Sequence, residues 1–411
     1  MISGKAACGL QYAVKKSGSA VGYCALSIQC GTRDEGDFPS GIAHFTEHTL
    51  FKGTARRSAR VINGYLDRLG GELNAYTTKE EIVLHATVLK EDLGKALGLL
   101  LQLATEPVFP EDEIQTEKGV VLDEIASYKD SPGDEIYDRF EEMIFAGHPL
   151  GRPILGTASS VRKITGENLR AFVRNRFTPD KMALSVVADI EETILEKKLL
   201  RLAENIFDGA SGTASSTPST TYFVPVVTPF SRRIEKRNHE VNAVLGNLAP
   251  SLYDGKDRMT AILLSNILGG PASNSMLNDL LRERNGWVYS VESAYTQYTD
   301  TGILAINFGC DRPNLEKCLK GIWTCIGKLQ SRPLPESRLK AAKKQLFGQL
   351  AISSDNGETQ CLSMGKSLLA FGKVIPEAES MAEISAITST DLQALACRLF
   401  DPGTTSQLIF L

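Results

Sequence analysis

Two similar stretches of sequence indicate how this chain folds: Ile164-Thr165-Gly166-Glu167-Asn168-Leu169 and, 223 residues later, Ile387-Thr388-Ser389-Thr390-Asp391-Leu392. In each stretch, a threonine stands where its hydroxyl can cap the first turn of a helix. Each predicted helix leads into a short apolar strand, at 182–187 and at 406–411. We therefore expect one structural unit to occur twice.

The sequence before these helices repeats as well. Phe109-Pro110-Glu111 and Leu334-Pro335-Glu336, 225 residues apart, begin patterns that predict helices at 109–129 and 334–351. The elements before each triplet also match: strands at 81–88 and 302–308, then helices at 91–105 and 314–330. This order predicts an α+β fold with two homologous domains, each a mostly antiparallel sheet with helices packed on one face.

A run of small residues separates the two repeats. Residues 209–221 consist only of Gly, Ala, Ser, Thr and Pro. Because such a run has almost nothing to bury, it predicts a linker. We predict a first domain at 1–208, a linker at 209–230 and a second domain at 231–411.

Composition and charge exclude several classes of function. The 411 residues are 42% apolar and 23% charged, as in globular proteins with more than one core. The formal charge of −4, with Lys and Arg spread along the chain, predicts neither a nucleic-acid nor a membrane partner. Neither a long apolar span nor a secretory signal is visible, so we expect a cytoplasmic location. The eight cysteines form no Cys-x-x-Cys pair, which predicts reduced thiols.

The pentapeptide His44-Phe45-Thr46-Glu47-His48 carries the strongest chemical signal. Positions three and four apart share one face of a helix, so His44, Glu47 and His48 would converge. Two neutral imidazoles are good zinc ligands, and a carboxylate beside them can accept a proton from water. A catalytic zinc site usually takes a third protein ligand, which must come from elsewhere in the chain.

The motif and its flanks, residues 41–54, resemble the pitrilysin, insulinase and mitochondrial processing peptidase family, whose zinc motif is His-x-x-Glu-His. In that family the third ligand is a glutamate 76 residues after the second histidine, which is Glu124 here. The resemblance implies one Zn²⁺ per chain, held by His44, His48 and Glu124. It gives Glu47 the role of general base in peptide-bond hydrolysis.

Glu117 lies seven residues before Glu124, on the same predicted helix face. By the resemblance it stands behind the zinc ligands and orients them. The 225-residue offset places Ala342 and Gln349 at the corresponding positions of the second half, and the glycine-rich residues 269–272 opposite the zinc motif. The second domain is therefore predicted to be metal-free.

Further matches to the family imply how substrate is held. Arg282 and Tyr289 have the seven-residue spacing of its C-terminal motif, whose side chains support the substrate carbonyl and its developing oxyanion. Asn74 and Ala75 match an edge strand with which the substrate pairs. Asp134 and Asp138 match acidic residues that receive an arginine near the cut site, although a solvated helix start explains them equally well.

The resemblance implies a zinc-dependent endopeptidase that holds peptides or unfolded polypeptides as an added strand in a two-domain chamber. Single-chain members are about twice this length, so a homodimer, or a pair with a metal-free related subunit, would complete the chamber. Two alternatives stay open at this point. One is a non-catalytic assembly or core subunit of the same fold, and the other is a maturase dedicated to one small peptide precursor.

Overall fold

The computed structural model describes residues 1–207, 226–236 and 239–411. The strands in these residues are β1 (Ile2–Lys5), β2 (Gln11–Lys16), β3 (Val21–Ile28), β4 (Gly53–Thr54), β5 (Arg57–Ser58), β6 (Glu72–Thr77), β7 (Ile82–Leu89), β8 (Met182–Ala188), β9 (Ser231–Ile234), β10 (Val241–Ala249), β11 (Val288–Gln297), β12 (Gly302–Cys310) and β13 (Ser406–Phe410). The α-helices are α1 (Ile42–Leu50), α2 (Ala59–Asn63), α3 (Leu93–Thr105), α4 (Glu111–Lys129), α5 (Pro132–Ile144), α6 (Ala158–Lys163), α7 (Gly166–Arg176), α8 (Glu192–Ile206), α9 (Gly255–Gly269), α10 (Leu315–Ser331), α11 (Glu336–Ser354), α12 (Gly357–Phe371), α13 (Glu377–Ala386) and α14 (Ser389–Leu399).

The predicted linker at 209–230 falls largely outside the described residues. Of that range, only 226–230 is described, and it contains neither helix nor strand. In the part of the chain that the structure describes, no helix is long and apolar enough to cross a membrane.

The first sheet has six strands in the order β1-β2-β8-β3-β7-β6. Every neighbouring pair is antiparallel except β2 and β8. One face of this sheet packs on helices α1, α3, α4, α7 and α8 through a buried apolar core. The mostly antiparallel sheet predicted for the first half is therefore confirmed, and β6 lies at its edge.

The second sheet repeats this plan with five strands in the order β11-β12-β10-β13-β9. Only β13 and β9 are parallel. Helices α9, α10, α11 and α14 pack on one face. The predicted threonine caps are also present: the Thr165 hydroxyl accepts the N–H of Asn168, and the Thr388 hydroxyl accepts the N–H of Asp391. The prediction of two homologous α+β domains is confirmed.

The described chain divides into two compact units that do not coincide with the linear ranges 1–208 and 231–411. The first unit comprises 1–126, 152–207 and 352–375, and the second comprises 127–151, 226–236, 239–351 and 376–411. Each half of the sequence thus contributes one segment to the unit built mainly by the other half. The two exchanged segments occupy matching places in the repeat.

Each exchanged segment carries a helix that covers the second face of a sheet. On the first sheet this helix is α12, whose Cys361, Met364 and Leu368 contact small strand residues such as Ala25. A Cβ on Gly365 would lie 2.5 Å from the Ser27 hydroxyl oxygen, so a glycine is needed where helix and strand approach most closely. Helix α5 covers the second sheet in the same way.

Candidate metal centre

Helix α1 is fixed at its N-terminus by a tight turn and a buried carboxylate. Gly41 has a φ of 88°, and a Cβ there would lie 2.7 Å from the carbonyl oxygen of Leu155, so only glycine fits. The fully buried Glu35 accepts the N–H groups of Gly41 at 2.9 Å and Ala43 at 3.2 Å. Burial raises the pKa of Glu35 to about 7, although these two donors and Arg152 oppose the rise.

His44 and His48 lie one turn apart on α1, with ring centroids 4.6 Å apart. Both Nε2 atoms face one oxygen of Glu124, which α4 supplies. The distance to Glu124 Oε2 is 3.7 Å from His44 Nε2 and 3.6 Å from His48 Nε2. The three ligand atoms lie within 4.8 Å of one another, so the structure assembles the predicted zinc ligands.

This donor set fits a zinc ion. Ligand atoms about 2.1 Å from a tetrahedral zinc lie about 3.4 Å from each other, close to the two distances above. Glu124 Oε2 and His44 Nδ1 are buried and have no hydrogen-bond partner among the described residues, which leaves the carboxylate oxygen available to a cation. Burial, and to a lesser extent His48, lowers the pKa of His44 to about 3, so this imidazole is neutral as a metal ligand requires.

Glu117 contacts His48 from the side away from Glu124 Oε2, through the other ring nitrogen. Its Oε1 lies 3.1 Å from His48 Nδ1, and its Oε2 lies 2.5 Å from Lys52 Nζ. With Nδ1 held by a carboxylate, His48 presents Nε2 to the site. Glu117 is buried, and Lys52 compensates its charge.

Glu47 accepts a hydrogen bond of 2.6 Å from the hydroxyl of Thr77 to its Oε2. Burial raises the pKa of Glu47 above its usual range, and the charge of Glu124 acts in the same direction. The Thr77 hydrogen bond and His48 oppose that rise. A carboxylate whose pKa is moved toward neutrality is suited to accept a proton from water.

Asn74 and Ala75 lie in β6, the edge strand that the resemblance predicts. Asn74 is exposed and pairs with His85 of β7, whereas Ala75 packs partly against the core. Thr77 ends the same strand. The edge strand and Glu47, the predicted general base, therefore belong to one local structure.

Two family models together match most of this chain. The model of the insulinase family, peptidase family M16, matches residues 12–158, and the model described as the peptidase M16 inactive domain matches residues 163–346. The chain is 31% identical, over 94% of its length and 93% of the relative's, to a Bacillus subtilis protein named uncharacterized zinc protease YmxG. The chain belongs to peptidase family M16.

Other members agree in length and fold. A Streptomyces coelicolor protein, also named an uncharacterized zinc protease, is 29% identical over 89% of this chain and 80% of its own. The crystal structure of a protease from Helicobacter pylori superposes with a TM-score of 0.88 at 20% identity, covering 100% of this chain and 98% of that one. A peptidase M16 inactive domain from Pseudomonas fluorescens superposes with a TM-score of 0.89 at 19% identity, covering 100% and 97%. The two-domain M16 fold is thus shared along the whole chain.

Four predicted site residues of this M16 chain lie in the second unit, whereas the three predicted zinc ligands lie in the first. Asp134 and Asp138 are in α5, and the carboxylate of Asp134 accepts the Ser131 hydroxyl at 2.6 Å. Arg282 is exposed in a short π-helical segment before β11. Tyr289 is 60% exposed and donates to Asp311 at 2.8 Å, and this hydrogen bond raises the pKa of Tyr289. Their roles toward substrate stay predictions.

The second unit has an amide at the position that matches the predicted ligand Glu124. Gln349 of α11, at the position matching Glu124, accepts a hydrogen bond of 2.6 Å from Asn266 Nδ2. Asn266 lies in α9, and this helix ends at Gly269, the first residue of the stretch 269–272 that the repeat offset aligns with the zinc motif. Among the described residues, the only cluster of metal-ligand type is the one in the first unit.

Sequence reasoning missed three residues that shape the site: Glu35, Lys52 and Thr77. Thr77 had an available signal, because it is two residues after Ala75 and strand alternation places both on one face. Lys52 follows His48 by four residues but lies beyond the end of α1, so helix periodicity does not assign it. Nothing local marks Glu35, whose position depends on how the preceding loop folds back onto the helix.

Proposed function

We propose that this M16 protein is a zinc-dependent endopeptidase that hydrolyses peptides or unfolded polypeptides, with one Zn²⁺ per chain. The observation that carries the proposal is the convergence of two imidazoles and the otherwise unpartnered carboxylate oxygen of Glu124, with Glu47 one helix position from His48. That set supplies the three protein ligands of a catalytic zinc site, which leaves a fourth position for water, and a base for hydrolysis.

A zinc ion at this site would supply Lewis acidity, polarising the scissile carbonyl and making water a stronger acid. The side chains carry out the proton transfers. Glu47 accepts a proton from the attacking water and later returns it to the leaving amine, so no covalent enzyme intermediate is needed. Glu117 and Lys52 keep the His48 ring oriented throughout.

The edge strand β6 supports docking of an extended substrate. In the described residues, no strand pairs with the outer edge of β6, so its backbone N–H and C=O groups can pair with a peptide. Main-chain pairing tolerates many side chains, which suits a peptidase acting on unfolded segments. Asn74 and Ala75 would border the bound peptide.

The second unit would contribute specificity and charge stabilisation. Arg282 and Tyr289 would donate to the oxyanion that develops on the substrate carbonyl, and Asp134 and Asp138 would receive a substrate arginine. These roles rest on the family resemblance, and so does the proposed homodimer or pair with a metal-free subunit.

Light scattering on the purified protein checks for the dimer. Cleavage of arginine-containing peptides by an Asp134→Asn, Asp138→Asn variant checks the acidic pair, and an unchanged preference would reject it.

A single substitution separates an enzyme from a non-catalytic subunit of the same fold. The purified protein should contain about one zinc per chain and cleave unstructured peptides. Glu47→Gln should retain that zinc and lower kcat by roughly 10²- to 10⁴-fold, because the amide cannot accept the proton. Absence of zinc from the wild-type protein, or full activity in the variant, would reject the proposed mechanism.

A further inference from the structure

Thr77 breaks the apolar pattern on one face of β6. Alternation along a strand places Leu73, Ala75 and Thr77 on the same face. Leu73 and Ala75 pack against the core of the first unit, which includes apolar residues of α1. At the next position of that face the chain has a hydroxyl, and this is where Glu47 of α1 lies.

The hydroxyl holds one oxygen of the proposed base. Thr77 Oγ1 donates to Glu47 Oε2 at 2.6 Å, and within the described chain this is the only hydrogen bond of the Glu47 side chain. Threonine is branched at Cβ, so few side-chain rotamers are open to it in a strand, and the hydroxyl direction follows the backbone of β6. The other carboxylate oxygen, Oε1, stays available for a proton.

We propose that Thr77 is a positioning residue that fixes the Glu47 carboxylate relative to a peptide paired with β6. The inference rests on the proposed function, since it assigns a role within that peptidase site. A peptide that pairs with β6 fixes the backbone of that strand. Because the Thr77 hydroxyl follows this backbone, it fixes the orientation of the Glu47 carboxylate as well. Strand β6 would therefore both bind the peptide and orient the carboxylate that accepts the proton.

The hydroxyl takes no part in the proton balance. The water proton moves to Glu47 and then to the leaving amine, while Thr77 keeps its own proton as the donor to Oε2. Loss of this donor leaves zinc binding and the edge strand intact but frees the carboxylate to rotate. The expected effect therefore falls on kcat and spares KM.

Three variants of the full chain test this role. Thr77→Val removes the hydroxyl at constant shape, and Thr77→Ser keeps it. Thr87→Val is the matched control, because Thr87 is half-buried in the adjacent strand β7 and lies opposite Glu72, on the other face of the sheet. Zinc content, kcat and KM are measured for each. Binding of a fluorescent peptide to the metal-free proteins gives a readout that does not depend on cleavage.

We expect Thr77→Val to lower kcat roughly 10- to 100-fold, as loss of a hydrogen bond to a charged group does, with KM and peptide affinity within about twofold of wild type. Thr77→Ser should recover most of the activity, and zinc content should not change. A wild-type kcat in Thr77→Val, or a loss confined to KM, would overturn the inference, as would a serine variant as impaired as the valine one.

A crystal structure of metal-free Thr77→Val separates this inference from the proposed function. We expect the Glu47 carboxylate to leave its wild-type rotamer. If it stays in place, the positioning role is overturned whether or not the wild-type protein cleaves peptides. If it moves while wild-type protein with zinc bound fails to cleave any peptide, the positioning role stands and the peptidase proposal fails.

Discussion

The two units of this protein share a scaffold and differ in chemistry at one point. In the first unit, His48 and Glu124 come from two helices and face each other without a hydrogen bond, at 3.6 Å. In the second unit, Asn266 and Gln349 come from the matching helices and are joined directly at 2.6 Å. Two amides satisfy each other, whereas two imidazoles and a carboxylate need a cation to bring them together. The shared scaffold therefore does not by itself require a metal ion.

The first unit also carries groups that are costly to bury. Glu117 and His44 are buried there, and Lys52 is needed to balance Glu117. The second unit has Ala342 at the position matching Glu117 and needs no such cation. The buried charged groups lower the stability of the first unit, and they are the groups that form the proposed metal site.

The largest effect is expected when the carboxylate of Glu124 is replaced by the amide that the second unit has at the matching position. Glu124→Gln should reduce zinc from about one per chain to near zero after dialysis, because an amide oxygen is a poor zinc ligand. Metal analysis of the purified variant checks this. Gln349→Ala is the matched change in the second unit. It should leave zinc content unchanged and lower the free energy of unfolding by about 1 kcal/mol. Full zinc retention in Glu124→Gln would contradict the ligand assignment.

An intermediate effect tests the support behind the ligands. Lys52→Met should weaken zinc binding by about 10- to 100-fold, because Glu117 is left buried without its cation and no longer holds His48 firmly. Competition with a chelator of known affinity measures this. Lys118→Met is the control, since Lys118 adjoins Glu117 in sequence but is half-buried and its amine donates to the carbonyl of Arg162. Equal zinc affinities in the two variants would show that Lys52 does not act on the site.

The smallest effect concerns how each unit holds the N-terminus of its helix. α1 is held by the buried Glu35, whereas α9 begins after the exposed Asp254, which accepts the N–H of Ser251. The pKa of Glu35 is raised from 4.5 to about 7, so the folded protein keeps a proton that the unfolded chain has released. That stabilising contribution is complete below pH 4.5 and is lost as pH rises through about 7.

Wild-type stability should therefore decline between pH 5.5 and 7.5 by about 1–2 kcal/mol more than that of Glu35→Gln, which has no proton to lose. Urea unfolding of metal-free protein across this range measures the difference. Asp254→Asn serves as the comparison in the second unit and should leave the slope as in wild type. Parallel curves for wild type and Glu35→Gln would refute the assignment.

Sequence reasoning succeeded where information is local or where spacing is fixed. The helix at Glu111–Lys129 and its counterpart at Glu336–Ser354 begin at the predicted Pro-Glu steps. The threonine caps are formed as predicted because a cap involves residues only three apart. His44 and His48 share a helix face for the same reason, and the family spacing supplied Glu124.

Long-range partners escaped prediction. The hydrogen bond between Thr77 and Glu47 joins a strand to a helix, and the pair of Lys52 and Glu117 joins the turn after α1 to helix α4. No periodicity within one element can identify such pairs. The exchange of helices also escaped, because the apolar faces of α5 and α12 show that each is buried but not on which sheet.

From the sequence, with the family resemblance that it carries, it could be predicted that the chain repeats one α+β unit, that one copy contains His44, His48 and Glu124 as zinc ligands, and that the other copy has different residues at those positions. These features follow from residue type and spacing along the chain. Other features became visible only in the folded chain. These are the segments that complete each unit, the contacts of Glu35 with the start of α1 and of Lys52 with Glu117, and the hydrogen bond from Thr77 to Glu47. Those features depend on contacts between residues distant in sequence, and such contacts are selected by packing and by the need to pair buried polar groups.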